Sequence, residues 1–91
     1  METKPSEKPK ANDKATIQDL GDEVLLYDAE KEHVHILNHT AHDIWNLCDG
    51  TNTLVDIKRK LMETYSDIPE DELFTDIQET VTELRKKHLL I

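Results

Sequence analysis

Sulfur, long apolar runs and basic charge are all scarce in this chain. A single cysteine among 91 residues, Cys48, excludes an internal disulfide. With no second thiol it also excludes a thiolate zinc cluster, so stability has to come from packing. No run approaches the ~20 apolar residues that a membrane-spanning helix needs. The opening residues METKPSEKPK carry charge but no apolar h-region, so no secretory signal is read there and a cytoplasmic location is expected. Basic residues number 11 against 20 acidic ones, a formal net charge of −9. Such a surface repels phosphate backbones, and nucleic acid is not the expected partner.

What is present suits one small domain. The chain is 36% hydrophobic and 34% charged, enough apolar material for one core. A chain this short buries only about 60% of its unfolded surface, leaving little room for a deep active site. Residues 1–14 hold two Pro and four Lys, with no large aliphatic side chain after Met1, and read as a disordered tail. The domain is expected over residues 15–91. Short aliphatic runs open it: Ala15-Thr16-Ile17, Val24 to Tyr27 and Val34 to Leu37. Turn-type residues Gly21-Asp22 and the stretch Asp28 to Glu32 separate them, a pattern that predicts a three-stranded antiparallel meander.

From Asn38 the period becomes helical. Ala41, Ile44, Trp45, Leu47 and Cys48 share a face, Asn38 or Thr40 supplies the N-cap, and Gly50 stands where a left-handed C-terminal cap is wanted. Thr53-Leu54-Val55-Asp56 matches a capping box, opening a second helix through Ile57, Leu61, Met62 and Tyr65. The third and longest helix has Pro69 in its first turn. Glu70, Asp71 and Glu72 then sit at the positive end of its dipole, and Arg85, Lys86 and Lys87 at the negative end. Its apolar stripe is Leu73, Ile77, Val81 and Leu84, and after it His88 is expected to take a left-handed turn that folds Leu89-Leu90-Ile91 back. The predicted class is α+β: a three-stranded antiparallel sheet followed by a three-helix bundle, in the manner of a winged helix.

The order Leu26-Tyr27-Asp28, Val34-His35-Ile36-Leu37-Asn38, Ile44-Trp45, Leu47-Cys48-Asp49-Gly50 and Thr53 resembles the PqqD family, named for a protein of pyrroloquinoline quinone biosynthesis. The resemblance spans Leu20 to Ile91. It implies a non-catalytic recognition element for ribosomally made peptides, in which a precursor's leader lies as an added strand on the edge of the third strand, against the third helix. It also implies a modifying enzyme as partner, typically a radical S-adenosylmethionine enzyme, and no cofactor held by the chain itself. The chain lacks the Arg-rich N-terminal approach of the quinone-pathway members and has Asp22 to Tyr27 in that region, which points to a paralogue.

An exposed strand edge offers unpaired backbone donors and acceptors to an extended peptide, while side chains alongside it supply selection. The candidate peptide-binding residues are His33, Val34, His35, Ile36 and Leu37 on the third strand. On the third helix they are Leu73, Ile77, Thr80, Val81 and Leu84, flanked by Asp76, Glu83 and Lys87. The same apolar helical stripe also suits plain core. If His33 and His35 line the groove, binding varies between about pH 6 and 7.

Other constellations read blandly. Histidines 33, 35, 39, 42 and 88 have no carboxylate or thiol at a recognised ligand spacing, so no metal site is expected. Cys48 and Trp45 fall on an apolar helical face as core residues. Acidic pairs such as Glu70 and Asp71 or Asp76 and Glu79 lie on a solvated face with no nucleophile set against a histidine, so no enzymatic activity is expected. Two alternatives remain open. One is a winged-helix nucleic-acid binder using Lys58, Arg59 and Lys60; the other is a module that docks a folded protein without binding a peptide. A monomer is expected rather than a dimer.

Overall fold

Alternation of apolar and polar residues is clearest in Val24–Asp28, where Val24, Leu26 and Asp28 are buried and Leu25 and Tyr27 are not. This is the central strand. The computed structural model describes residues 6–91, and among them three strands precede three helices. Strand β1 (Ala15–Asp19) pairs antiparallel with β2 (Val24–Asp28), from Ala15↔Asp28 to Asp19↔Val24. β2 pairs in turn with β3 (His33–Leu37), from Val24↔Leu37 to Asp28↔His33, giving the order β1-β2-β3.

Side-chain chemistry closes both hairpins. In the first turn Asp19 accepts the Gly21 amide at 2.9 Å while Gly21 takes φ 91°, a conformation open to glycine without a Cβ clash. In the second, Asp28 accepts the Glu30 and Lys31 amides at 3.0 and 3.3 Å, and Glu32 takes the left-handed position at φ 56°. Asp28 is thus a buried carboxylate whose partners are backbone N–H groups of its own turn.

The helices begin where their caps predict. Helix α1 (His39–Leu47) is capped by Asn38, whose Oδ1 accepts the Ala41 amide at 2.8 Å. Helix α2 (Leu54–Thr64) has the full capping box: the Asp56 amide donates to Thr53 Oγ1 at 3.1 Å and the Thr53 amide to Asp56 Oδ2 at 3.0 Å. Helix α3 (Glu70–Lys86) carries three acidic residues in its first turn and Arg85 and Lys86 in its last, matching the helix dipole. His88, at φ 60°, ends it in a Schellman turn. The Leu89 amide donates to Leu84 O at 2.9 Å and the His88 amide to Arg85 O at 3.0 Å, which turns Leu89 and Leu90 back into the core.

Two local expectations shift. Pro69 is the N-cap of α3 and not part of its first turn, since its ψ of 141° is still extended. Gly50 is left-handed at φ 84°, but α1 has already closed at Cys48; Gly50 serves the following loop, where a Cβ would stand 3.3 Å from the Lys10 side chain.

The inner sheet face and the three helices share one core. Leu26, Ile44, Leu54, Ile57, Leu73 and Ile77 are fully buried in it, with Cys48 and Trp45 alongside. Burial pushes the Cys48 thiol up to about 12, so the side chain behaves as a small hydrophobe.

The structure departs from the expected disordered tail. Residues 1–5 lie outside the described residues, but Pro9 to Asn12 form a strap between the α1–α2 loop and the C-terminal segment. The Gly50 amide donates to Pro9 O at 3.0 Å, Ala11 to Cys48 O at 2.8 Å, Asn12 to Leu89 O at 2.8 Å and Ile91 to Lys10 O at 2.8 Å. Pro9 is fully buried, and Arg85 meets Glu7 at 2.8 Å. A composition poor in aliphatics misjudges this segment because its order comes from backbone groups that the neighbouring loops leave unpaired.

A chain lacking residues up to Asn12 should therefore lose about 2–4 kcal/mol of stability in urea unfolding, four backbone hydrogen bonds at roughly 0.5–1 kcal/mol each. An unchanged midpoint would show that the strap adds nothing. Cys48 should react with a thiol reagent at pH 8 only at the rate at which the chain opens.

Candidate peptide-binding site

The hydrogen-bond phase of the sheet decides what its edge offers. In β1–β2 the Leu20 amide donates to Glu23 O at 2.8 Å and the Ala29 amide to Lys14 O at 3.1 Å. Both lie on the same register as Ala15↔Asp28, so residues 23, 25, 27 and 29 turn their N–H and C=O groups toward β1. The intervening Val24, Leu26 and Asp28 therefore face β3, pairing with Leu37, His35 and His33. What remains on β3 is Val34 and Ile36, whose N–H and C=O groups point away from β2 along an edge that no strand among the described residues pairs with.

The same alternation sorts the side chains. Val34 and Ile36 stand on the outer face of the sheet, 57% and 67% exposed, beside Tyr27 and Leu25 of the central strand. His33, His35 and Leu37 share the inner face, where Leu37 is buried, His35 half-buried and His33 exposed. The two imidazoles meet edge to face with centroids 6.3 Å apart.

Beyond the edge lies α3. Asn38 and Thr40, just past the end of β3, share a cleft of about 280 Å³ with Asp76, Glu79 and Thr80. The positive charge of Lys87 acts on His35. From Thr80 to Lys87 is about 10 Å of helix, and from Asn38 back to His35 is about 10 Å of strand, so α3 runs beside β3 in the opposite direction. Asp76, Thr80, Glu83 and Lys87 form a stripe next to the buried one, with Lys87 and Glu83 3.8 Å apart. The His35 ring is held below its ordinary 6.5, first by burial, then by Lys87 and His33, with Lys31 adding to the shift and Asp28 opposing it.

Five of the residues expected to touch a peptide do not reach the surface. Leu73, Ile77, Val81 and Leu84 are 0 to 3% exposed, and Leu37 is 9% exposed. They lie beneath the surface, because the hydrophobic stripe of α3 is spent on the shared core, where the helix packs against α1 and α2. His33, Val34, His35 and Ile36 lie along the edge, and Asp76, Thr80, Glu83 and Lys87 lie on the facing helix. The cleft also brings in Asn38, Thr40 and Glu79, which the sequence singles out only as candidate caps and as solvated acidic surface. Reading the chain also missed the outer-face neighbours Leu25 and Tyr27, which strand alternation alone would have placed beside Val34 and Ile36.

Other surfaces offer less. Among the described residues no group of three or more His, Cys, Asp or Glu is placed to hold a metal ion, and no helix is long and apolar enough to cross a membrane. The basic cluster on α2 is engaged within the protein. Lys58 bonds Glu70 at 2.6 Å and lies over the Phe74 ring, and Lys60 donates to Asn52 at 2.8 Å.

An antiparallel three-stranded sheet with β3 at one edge, backed by three helices, defines a small winged-helix-like domain. The chain belongs to the PqqD family: the model described as coenzyme PQQ synthesis protein D matches residues 23–90. Two solved structures share the fold. "TbiB1 in Complex with the TbiA(beta) Leader Peptide" is 22% identical with a TM-score of 0.76, covering 89% of this chain and 93% of that one. "Lasso peptide synthetase B1 complexed with the leader peptide" is 18% identical with a TM-score of 0.79, covering 92% of this chain and 98% of that one. No curated protein matches the chain in sequence.

Because folding holds the His35 pKa below its ordinary value, its contribution to stability is full above about pH 6.5 and is lost as pH falls through the depressed folded value. Imidazole carbon shifts followed from pH 8 to pH 4.5 should show His35 protonating below 6.5, and Lys87→Gln should raise its midpoint. An unmoved midpoint in that variant would remove Lys87 from the surroundings of His35.

Proposed function

We propose that this chain is a non-catalytic peptide chaperone that binds the leader of a ribosomally made precursor peptide as an added edge strand and presents it to a modifying enzyme. The observation that carries the reading is the outward phase of Val34 and Ile36 on β3, an edge left open beside α3. Two N–H and two C=O groups stand ready there for an extended chain. Family membership supports it, as does the presence of leader peptides in both solved structures that share the fold.

Holding the leader raises the effective concentration of the attached core peptide at the enzyme, so presentation alone accelerates modification without chemistry in this chain. The enzyme partner fits a radical S-adenosylmethionine enzyme acting in the cytoplasm, and the acidic surface suits a basic docking patch on it. The departure at Asp22 to Tyr27 from the quinone-pathway pattern favours a paralogue with its own precursor. Nucleic-acid binding draws no support, since two of the three lysine and arginine side chains it needs are already paired.

Proline scanning tests the mode of binding. Val34→Pro and Ile36→Pro each remove an N–H that the sheet does not use, so both variants should fold. Each should weaken binding of leader peptides encoded beside the gene by about tenfold or more, the ~1–3 kcal/mol cost of an unmade hydrogen bond. His35→Pro removes an amide that faces β2 and should instead destabilise the fold. In an amide shift titration the response should lie in His33–Leu37 and on α3, with a DNA duplex silent. Full affinity in folded Val34→Pro and Ile36→Pro variants would defeat the edge-strand reading.

A further inference from the structure

The sheet has two edge strands, β1 and β3, and charge tells them apart. Lys14 and Leu20 turn their backbone groups toward β2, so the free phase of β1 falls on Ile17 and Asp19, Ala15 having given its amide to Asn12 O at 3.1 Å. The charged residues along β1 and its flanks are Asp13, Asp19, Asp22 and Glu23, with Lys14 drawn to Glu30 at 3.6 Å. Beside β3 the charge changes sign along the edge. At its N-terminal end Lys87, His33 and Lys31 act on the His35 ring as cations, opposed by Asp28 alone, a positive setting in a chain of net charge −9. The Asp28 carboxylate is at the same time taken up by the Glu30 and Lys31 amides, and Glu83 lies 3.8 Å from the Lys87 ammonium. At the far end Asp76 and Glu79 share the cleft with Asn38, Thr40 and Thr80, and neither carboxylate has an ion-pair partner among the described residues.

We propose that β3 selects its peptide by charge: a carboxylate is accepted beside His33, His35 and Lys87 and refused beside Asp76 and Glu79, so the segment recognised is acidic toward its C-terminal end. This rests on the strand-addition reading and names the class of peptide that the edge takes. A residue directly opposite His33 or His35 on an added strand projects to the same face as they do. Its Cβ then lies about 4.5–5.5 Å from theirs, which brings an Asp or Glu side chain to the imidazoles and toward the Lys87 ammonium. A strand added antiparallel to β3, the steadier pairing, has its C-terminal half at that end. From Asp76 to Lys87 is about 16 Å of helix, and four residues of extended chain cover about 13 Å. A peptide residue four positions earlier therefore lies beside Asp76 and Glu79, where a second carboxylate would meet two like charges. Discrimination comes from that repulsion as much as from the attraction at the other end. Along β1 an acidic peptide would meet four carboxylates and one lysine already drawn to Glu30. Protonation of His33 and His35 adds to the attraction at β3, so affinity for an acidic segment rises as pH falls through the imidazole range.

A phage-displayed library of random decapeptides, selected against the full chain, tests this without knowledge of the natural precursor. Three forms are used: the wild type, Ile36→Pro, and a charge-exchanged variant with His33→Glu, Lys87→Glu, Asp76→Lys and Glu79→Lys. All four exchanged side chains lie outside the core, and near-ultraviolet circular dichroism checks that each variant folds. The wild type should enrich peptides with Asp or Glu in their C-terminal half and none four positions earlier, and Ile36→Pro should lose them. The charge-exchanged variant should enrich the reverse arrangement. For an enriched peptide, lowering the pH from about 7.5 to about 5.5 should tighten binding about threefold more than for the same peptide with its acid changed to the amide, the size of one exposed ion pair. Peptides lost with Ile36→Pro whose acids are spread evenly, gathered at the N-terminal end or unmoved by the charge exchange would overturn charge selection while leaving strand addition intact. No enrichment over Ile36→Pro, or amide shifts at Ile17 and Asp19 in place of Val34 and Ile36, would overturn peptide addition at β3 and this inference with it.

Discussion

Everything at the edge of this protein follows from the hydrogen-bond phase of its central strand. β2 spends its odd-numbered backbone groups on β1 and its even-numbered ones on β3, leaving no freedom in which groups of β3 remain. Because backbone direction and side-chain direction alternate together along a strand, that phase also fixes which β3 side chains look outward. Valine and isoleucine stand at the two free positions, and histidines stand at the positions tied to β2.

Much of the architecture was legible because short-range signals agree with one another. Asn38, the Thr53–Asp56 box, the acidic start and basic end of α3 and the left-handed His88 are local instructions, each satisfied by atoms a few residues away. The strand runs were readable for the same reason, bounded as they are by Gly21 and by the Asp28 turn. The fold resemblance stands with them, since the family match covers residues 23–90.

The site was legible only in outline. Leu73, Ile77, Val81 and Leu84 form an amphipathic stripe either way, and periodicity does not say whether a stripe meets a ligand or the core; burial places it in the core. The polar stripe one step around α3 was named in part, through Asp76, Thr80, Glu83 and Lys87, while Glu79 was passed over as ordinary solvated surface. The strap from Pro9 to Asn12 was missed for a different reason: its partners Cys48, Gly50, Leu89 and Ile91 are distant in sequence, and the pairing uses main-chain atoms that carry no compositional signature. Order of that kind depends on two loops arriving together.

The turn from Asp28 to Glu32 has a consequence of its own. With the Asp28 carboxylate gripping the Glu30 and Lys31 amides, the loop has a fixed length, and that length sets the register of β3. A single inserted or deleted residue there would slide the strand by one, carrying Val34 and Ile36 to the inner face and the histidines to the outer one. Under the proposed peptide-binding role, affinity and selectivity would change together in one step, with no intermediate between the two registers.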